Sequence, residues 1–408
     1  MTAPVRFNPF SPDFRNDPYP IYRRLREDRP VLRTRGLWVL TRHADVRATL
    51  TDRSFSVGLI PQLVSRNAVR HGHGDVAQIE RLGQKSLVFT DNPEHARLKG
   101  IVNRIFGRPA IAELRPRIAA RADELIEAAA GRGRPDLIAG FAEPLPLAVM
   151  CDWMALPDSI RARVGGWTHE VRHLLEPNLM TGDDLARVRD VVRVFAAALD
   201  EVVAERRRRP GDDLISRMLA ARTAGGDALS AEELVFLAMM CFVAGNETTT
   251  ALIGNTLHAL ARHPDQDARL RDQPELTPAA VGEALRYDSP LHQTMRLATR
   301  DVEIGGQPMR AGEQVLLCLG AANRDPAVFL DPDAFDLSRD TGPQVGFGHG
   351  MHACLGAVLA RLQAEIAVER LYRRAPGLRV DVDDLERRDD SSLLRGLRKL
   401  PAVLGRVG

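Results

Sequence analysis

Lysine is nearly missing from this chain: Lys85, Lys99 and Lys399 are the only three among 56 basic residues. The skew is of the kind a GC-rich genome imposes, and no mechanism follows from it. Net charge is scarce too, +2 over 408 residues, and no basic block interleaves with aromatics, so nucleic acid is not an expected partner. The amino-terminal stretch MTAPVRFNPFSPDF has no apolar core behind a basic start, which predicts neither a secretory signal nor a membrane anchor and makes a cytoplasmic enzyme the expectation. Repeats, low-complexity tracts and linkers are lacking, so residues 1–408 are expected to form a single large domain.

What is present is mostly helical periodicity with a few short strands. Val31–Thr34 and Leu37–Leu40 bracket Gly36 as a hairpin-like pair, and 44–50 reads as helix. From 109 to 209 apolar residues recur every three or four positions, interrupted at 131–135 and at Pro144, Pro146 and Pro157. Ser230 and Glu233 form a capping box that opens a helix running to Arg262, where His263-Pro264 stops it. At ~1.5 Å per residue this helix spans roughly 48 Å. Its apolar run 234–245 is too short to cross a bilayer and is broken by polar residues 246–250, which predicts a buried central helix. A second helix is predicted from Thr277 to Tyr287, strands over 296–304 and 315–319, and a last long helix over 353–373. The fold class is mainly α with small β-sheets.

Cysteine occurs four times, as Cys151, Cys241, Cys318 and Cys354, without a short repeated spacing, and the reducing compartment expected here disfavours structural disulfides. Three sit in apolar surroundings and read as core. Cys354 lies in the segment VGFGHGMHACLG, at the mouth of a predicted helix, where the helix amino terminus stabilises a thiolate. A thiol with an ordinary pKa of about 8.5 needs a cation to stay ionised, and a metal supplies one. Zinc would need about four ligands, and His349, His352 and Cys354 have no second cluster to complete the set. Taken alone, the segment is as well read as a buried cysteine in a glycine-rich loop.

Residues 347–356 resemble the haem-binding signature of the cytochromes P450, FGxGxHxCLG, with every defining position present. The resemblance implies that family's fold, with haem b between a long central helix and the helix after the cysteine loop. It implies Cys354 as the axial thiolate, a donor that pushes electron density toward iron and favours O–O cleavage. It also implies Phe347 shielding the sulfur, His352 reaching a haem propionate, and Gly348, Gly350 and Gly356 lining the cofactor. Glu283 and Arg286 fit the family's ExxR, an ion pair on one helix face that is structural rather than catalytic. In the following segment 331–336 Ala334 stands where many relatives have arginine, which leaves Arg324 or Arg339 to complete the network.

The run Ala244-Gly245-Asn246-Glu247-Thr248-Thr249 resembles the family's oxygen-activation motif. By that resemblance Ala244 and Gly245 leave room over the iron. Thr248, with ordered water, holds the proton that dioxygen needs before its O–O bond breaks, and Glu247 connects it to solvent. A mid-helix threonine otherwise bonds back to the carbonyl one turn earlier, and Glu247 could equally be a salt-bridged structural acid. His95 and Lys99 resemble the family's propionate-binding helix, with lysine where most relatives have arginine, and Arg296 matches its other propionate arginine.

By family topology, segments 60–87, 164–191, 291–294 and 392–394 surround the substrate. The candidate contacts are Met240, Val243, Leu291, His292, Thr294 and Leu394, with ordinary core as the alternative for the helix residues. His292 and Gln293 are polar where many relatives are apolar, and Arg66, Arg70, His71, His73 and Arg81 offer donors to a polar or acidic substrate. No flavin or iron–sulfur signature accompanies the haem motif, so electrons are expected from a separate ferredoxin and its reductase, with Lys99, Arg104, Arg108 and Arg361 as docking candidates. The expected activity is hydroxylation or epoxidation of a small organic substrate in natural-product or antibiotic biosynthesis, by a monomer without membrane contact. Oxidative coupling or ring closure uses the same haem. A non-catalytic haem sensor is the alternative of another class, and retention of Glu247 and Thr248 speaks against it.

Overall fold

The computed structural model describes residues 5–408 apart from 71 and 73–75. The chain divides into two compact units. One comprises the described residues up to Ser56 together with Ala119–Leu145 and Thr248–Gly408; the other comprises Val57–Ile118 and Pro146–Glu247.

The first unit carries a five-stranded sheet in the order Val31–Thr34, Leu37–Leu40, Gln314–Leu317, Thr294–Ala298, Phe55–Ser56. The hairpin forms as expected: Arg35 and Gly36 have φ of 47° and 80°, and two left-handed central residues match the twist of the flanking strands. Leu37–Leu40 then pairs in parallel with Gln314–Leu317. Both faces of the sheet are covered, so Leu37–Leu40 and 315–317 read as apolar runs. Trp38, Leu40, Val315 and Leu317 point to one face, against Val46 and Leu50 of the helix His43–Thr51. Their neighbours Val39 and Leu316 point to the other, against Phe14, Tyr22 and Leu25.

Three expected boundaries move. The stretch 296–304 is two strands, Thr294–Ala298 and Val302–Ile304, because Thr299 and Arg300 turn aside to hydrogen-bond Ser54. The second of these pairs instead with Gln307–Met309 around Gly305 and Gly306, both with positive φ. Leu319 begins the short helix Leu319–Ala322 rather than ending a strand. The last long helix is Ala357–Arg374, capped by Gly356, and a 3-10 turn at Gly350–His352 precedes it. Cys354 therefore lies just outside the helix, in the loop before it.

The central helix runs from Ala231 to Arg262, with the capping box in place: Ser230 N donates to Glu233 Oε2 at 2.8 Å, and Glu233 N to Ser230 Oγ at 3.2 Å. By length and composition it could cross a membrane, yet 78% of its most apolar window is buried inside the protein, which identifies a core helix. In the second unit the helix Gly182–Arg208 buries Leu185, Val188, Val192, Phe195 and Leu199 at three- and four-residue intervals. Phe195 stacks against Trp167 and Phe242 there.

The helix Thr277–Tyr287 carries the Glu283–Arg286 pair, fully buried. Arg286 Nε and Nη2 reach the two Glu283 oxygens at 2.8 and 2.7 Å, the bidentate geometry that compensates best for lost hydration. Its remaining N–H groups donate to the carbonyls of Asn323, Pro332 and Ala334. Arg339 is the third member, 3.1 Å from Glu283 Oε1. Arg324 lies elsewhere, its guanidinium sandwiched between the rings of Tyr19 and Tyr287 at 3.4 and 3.6 Å. Position 334 thus contributes only its backbone, and arginine five residues on supplies the charge.

His292, expected at the substrate, belongs to the core. It is 3% exposed, and its ring packs 5.8 Å from Tyr19 and 5.4 Å from Tyr22. Its Cε1 lies 2.1 Å from where a Cβ on Gly320 would stand, so only glycine fits opposite it. Burial, with Arg395 nearby, pushes its pKa down to about 3.

Two outcomes follow. Arg286→Met removes the bidentate partner of buried Glu283, leaving it Arg339 alone and leaving three carbonyls without their donor, and is expected to lower unfolding free energy by about 3–5 kcal/mol in urea titrations. His292 stays neutral in the folded chain while an unfolded histidine protonates below pH about 6.5, so the unfolded state binds more protons and stability falls on acidification below that value. The slope is about 1.4 kcal/mol per pH unit for this one group, and His292→Leu is expected to remove that increment from unfolding free energies compared at pH 7.5 and 5.5.

Candidate active site

The loop before the last helix is held by its own backbone. Gly348 N donates to Val345 O at 2.8 Å and Cys354 N to Phe347 O at 2.9 Å, so one backbone hydrogen bond ties residue 354 to residue 347. Gly348 and Gly350 have φ of 69° and 73°, which L side chains rarely adopt. A Cβ on Gly350 would also meet Leu50 O at 2.9 Å. Gly356, by contrast, has open space around it. Cys354 is exposed, whereas Cys151 and Cys318 are buried; burial pushes the Cys241 and Cys318 thiols up to about 12. Ala357 N reaches back to Cys354 O at 3.4 Å, which places the thiol where helix amino-terminal N–H groups favour negative charge.

Arg361, one turn into that helix, was expected on a docking face. It is part-buried, with its guanidinium 5.3 Å from the Phe347 ring centroid. Arg296 is buried on the strand Thr294–Ala298. It donates to Thr294 Oγ1 at 3.2 Å and Met295 O at 2.8 Å, so the Thr294 hydroxyl already serves Arg296. Leu291 and Leu394 meet as a β-bridge. In the second unit His95 is buried and Lys99 half-buried on the helix Glu94–Val102. Among the described residues no group of three or more His, Cys, Asp or Glu side chains could hold a metal ion, which removes the zinc reading. In the first unit, an accessible thiol on a loop that also carries His352 fits a metal that brings its own ligands and its own carboxylates, as an iron porphyrin does.

The central helix is buried at Val243, Asn246, Glu247 and Thr249 but exposed at Ala244 and half-exposed at Gly245 and Thr248. Positions 244 and 248 are one turn apart, so the accessible surface is a single stripe of small residues ending in a hydroxyl. Met240 and Val243 are 3% exposed. Glu247 is paired: its Oε1 lies 3.0 Å from Arg172 Nε and 3.5 Å from His169 Nδ1, and Arg172 is itself 3% exposed. No motif marks Arg172. The available signal is that a buried acid demands a cation, which says nothing of which arginine answers. Of the loop donors, Arg81 is engaged with Glu232 at 2.9 Å, and His71 and His73 lie outside the described residues.

The comparisons with known proteins converge on one family. The family model described as "Cytochrome P450" matches residues 173–386. The chain is 40% identical to cytochrome P450 107B1 of Saccharopolyspora erythraea, over 97% of each chain. It is 36% identical to the mycinamicin IV hydroxylase/epoxidase of Micromonospora griseorubida, over 94% of each. The solved structure of CalO2 superposes with a TM-score of 0.91 at 34% identity, covering 99% of this chain and 100% of that one. With a full-length match added to the thiol loop and the accessible helix stripe, the chain belongs to the cytochrome P450 family and is a haem-b monooxygenase.

Proposed function

We propose that the protein inserts one oxygen atom from O2 into a small natural-product molecule, by hydroxylation or epoxidation, with electrons from a separate ferredoxin and its reductase. The observation that carries this reading is the accessible stripe at Ala244, Gly245 and Thr248 beside a buried, paired Glu247. A helix that only filled a core would bury those positions too. The name of the Micromonospora relative, a hydroxylase/epoxidase of mycinamicin IV, supports the reaction type and substrate class.

In this reading the Cys354 sulfur holds the iron, and Phe347, fixed by the Cys354 N to Phe347 O bond, shields it. Arg296 and His352, with His95 and Lys99 from their helix, donate to the haem carboxylates, each charge-assisted bond contributing roughly 1.5–3 kcal/mol. When bound, haem supplies the iron at which dioxygen is activated. Ala244 and Gly245 keep side-chain bulk away from that oxygen, and Gly348, Gly350 and Gly356 allow the loop backbone to approach. The Thr248 hydroxyl holds a proton at the oxygen to be lost as water. Glu247, paired with the Arg172 guanidinium, links that hydroxyl to solvent. Met240, Val243, Leu291, Thr294 and Leu394 border the substrate, and each ligand methylene buried against them contributes about 0.8 kcal/mol. Residues 1–408 act as one catalytic domain, monomeric and cytoplasmic.

The reduced protein with carbon monoxide is expected to show the strongly red-shifted absorption band of thiolate-ligated haem, and Cys354→Ser to abolish it; a Cys354→Ser protein that keeps the band overturns the ligand assignment. Thr248→Ala is expected to keep the band but to return most of the consumed NAD(P)H as hydrogen peroxide, because a general acid–base contribution of roughly 10²-fold or more is lost. Peroxide release is the readout, and equal release from parent and variant counts against the role.

A further inference from the structure

Nine residues, Glu94–Val102, carry both His95 and Lys99. Four positions apart, they share one face of the helix; Arg97, two positions from each, stands about 200° around the axis, on the opposite face. There it meets the first turn of the central helix. Its guanidinium pairs with Glu233 and with Glu94, whose oxygens accept from Nε at 3.0 and 3.2 Å, and its Nη1 lies 3.5 Å from Ala228 O. Glu233 divides its work: Oε2 accepts from Ser230 N in the capping box, while Oε1 faces Arg97.

The neighbouring acid gives a comparison within the same turn. Glu232 pairs with Arg81 and Lys85, at 2.9 and 3.0 Å, with side chains 34–50% exposed. The Glu233 side chain is 9% exposed and Arg97 27%. Exposed pairs are screened by salt and hold little, whereas a mostly dry carboxylate fixes its partner.

We infer that Arg97 is a positioning residue for the cofactor: paired with Glu233 behind the helix Glu94–Val102, it fixes that helix's rotation and so aims His95 and Lys99 at the haem carboxylates. The inference rests on the proposed role of His95 and Lys99 as carboxylate donors. Side-chain tips lie ~5–6 Å from a helix axis, so a turn of about 20° displaces them by about 2 Å, beyond the range of a hydrogen bond. Lysine at position 99 sharpens the demand, because a point charge on a flexible stem has no planar fork to orient it.

The test is the rate of haem transfer from the holoenzyme to excess apomyoglobin. Arg97→Gln and Lys99→Gln are each expected to speed transfer about tenfold, and Arg97→Gln added to a His95→Ala, Lys99→Gln protein is expected to speed it no further, since Arg97 acts through those two side chains. Arg97→Lys restores most of the retention. Glu233→Gln reaches the same pair from the other side and keeps the capping box, which glutamine also forms; it is expected to match Arg97→Gln even if the latter folds poorly. Glu232→Gln leaves the rate unchanged. Further acceleration when Arg97→Gln is added to the His95→Ala, Lys99→Gln protein, or acceleration by Glu232→Gln equal to that by Glu233→Gln, overturns the inference alone. If neither His95→Ala nor Lys99→Gln speeds transfer, the donor reading falls and the inference with it.

Discussion

A guanidinium and a carboxylate held without water tolerate no partial arrangement, because each is worth keeping only while the other is in place. The Arg286–Glu283 pair sets that condition in the first unit. Arg286 collects carbonyls from Asn323, Pro332 and Ala334, and Glu283 collects Arg339 and the backbone N–H of Asp336. The reach extends to the cysteine loop: the Asn323 side chain accepts from Val345 N at 2.7 Å, and Gln344 donates to Gly282 O at 3.1 Å. Gly346 packs so tightly on Leu285 that a Cβ there would lie 2.8 Å from its side chain. The loop that presents Cys354 therefore starts from a buried charge network rather than from a flexible hinge.

The same logic recurs on the central helix with the opposite purpose. Glu247 is buried and answered by Arg172, as a buried acid demands a cation. Exposed His169 approaches the same oxygen, 3.5 Å from Glu247 Oε1. The sequence left Glu247 as either a proton relay or a salt-bridged acid; the structure shows the ion pair, and the relay belongs to the proposed function.

Two features legible in the sequence obey local rules: the i, i+3 ion pair and the capping box are each written within a few residues, and both form where the sequence put them. What was not legible depends on distant partners. Arg339 rather than Arg324 completes the Glu283 network because Arg324 is drawn between two aromatic rings from other parts of the chain. His292 turned out to be core because Tyr19 and Tyr22, some 270 residues earlier in the sequence, close over it. The break after Ala298 follows from Ser54, and Arg172 answers Glu247 across 75 residues of sequence. Composition and periodicity contain no record of such meetings.

The five-stranded sheet joins the two ends of the chain's synthesis. Leu37–Leu40 emerges early, yet its parallel neighbour Gln314–Leu317 is made 274 residues after Leu40, a delay of roughly 15–55 s at translation rates of about 5–20 residues per second. Until then an apolar strand edge stands open, with nothing to shield it from like edges on other nascent chains. The early hairpin is a template waiting for its complement, and the ribosome, more than the finished fold, sets how long that vulnerable interval lasts.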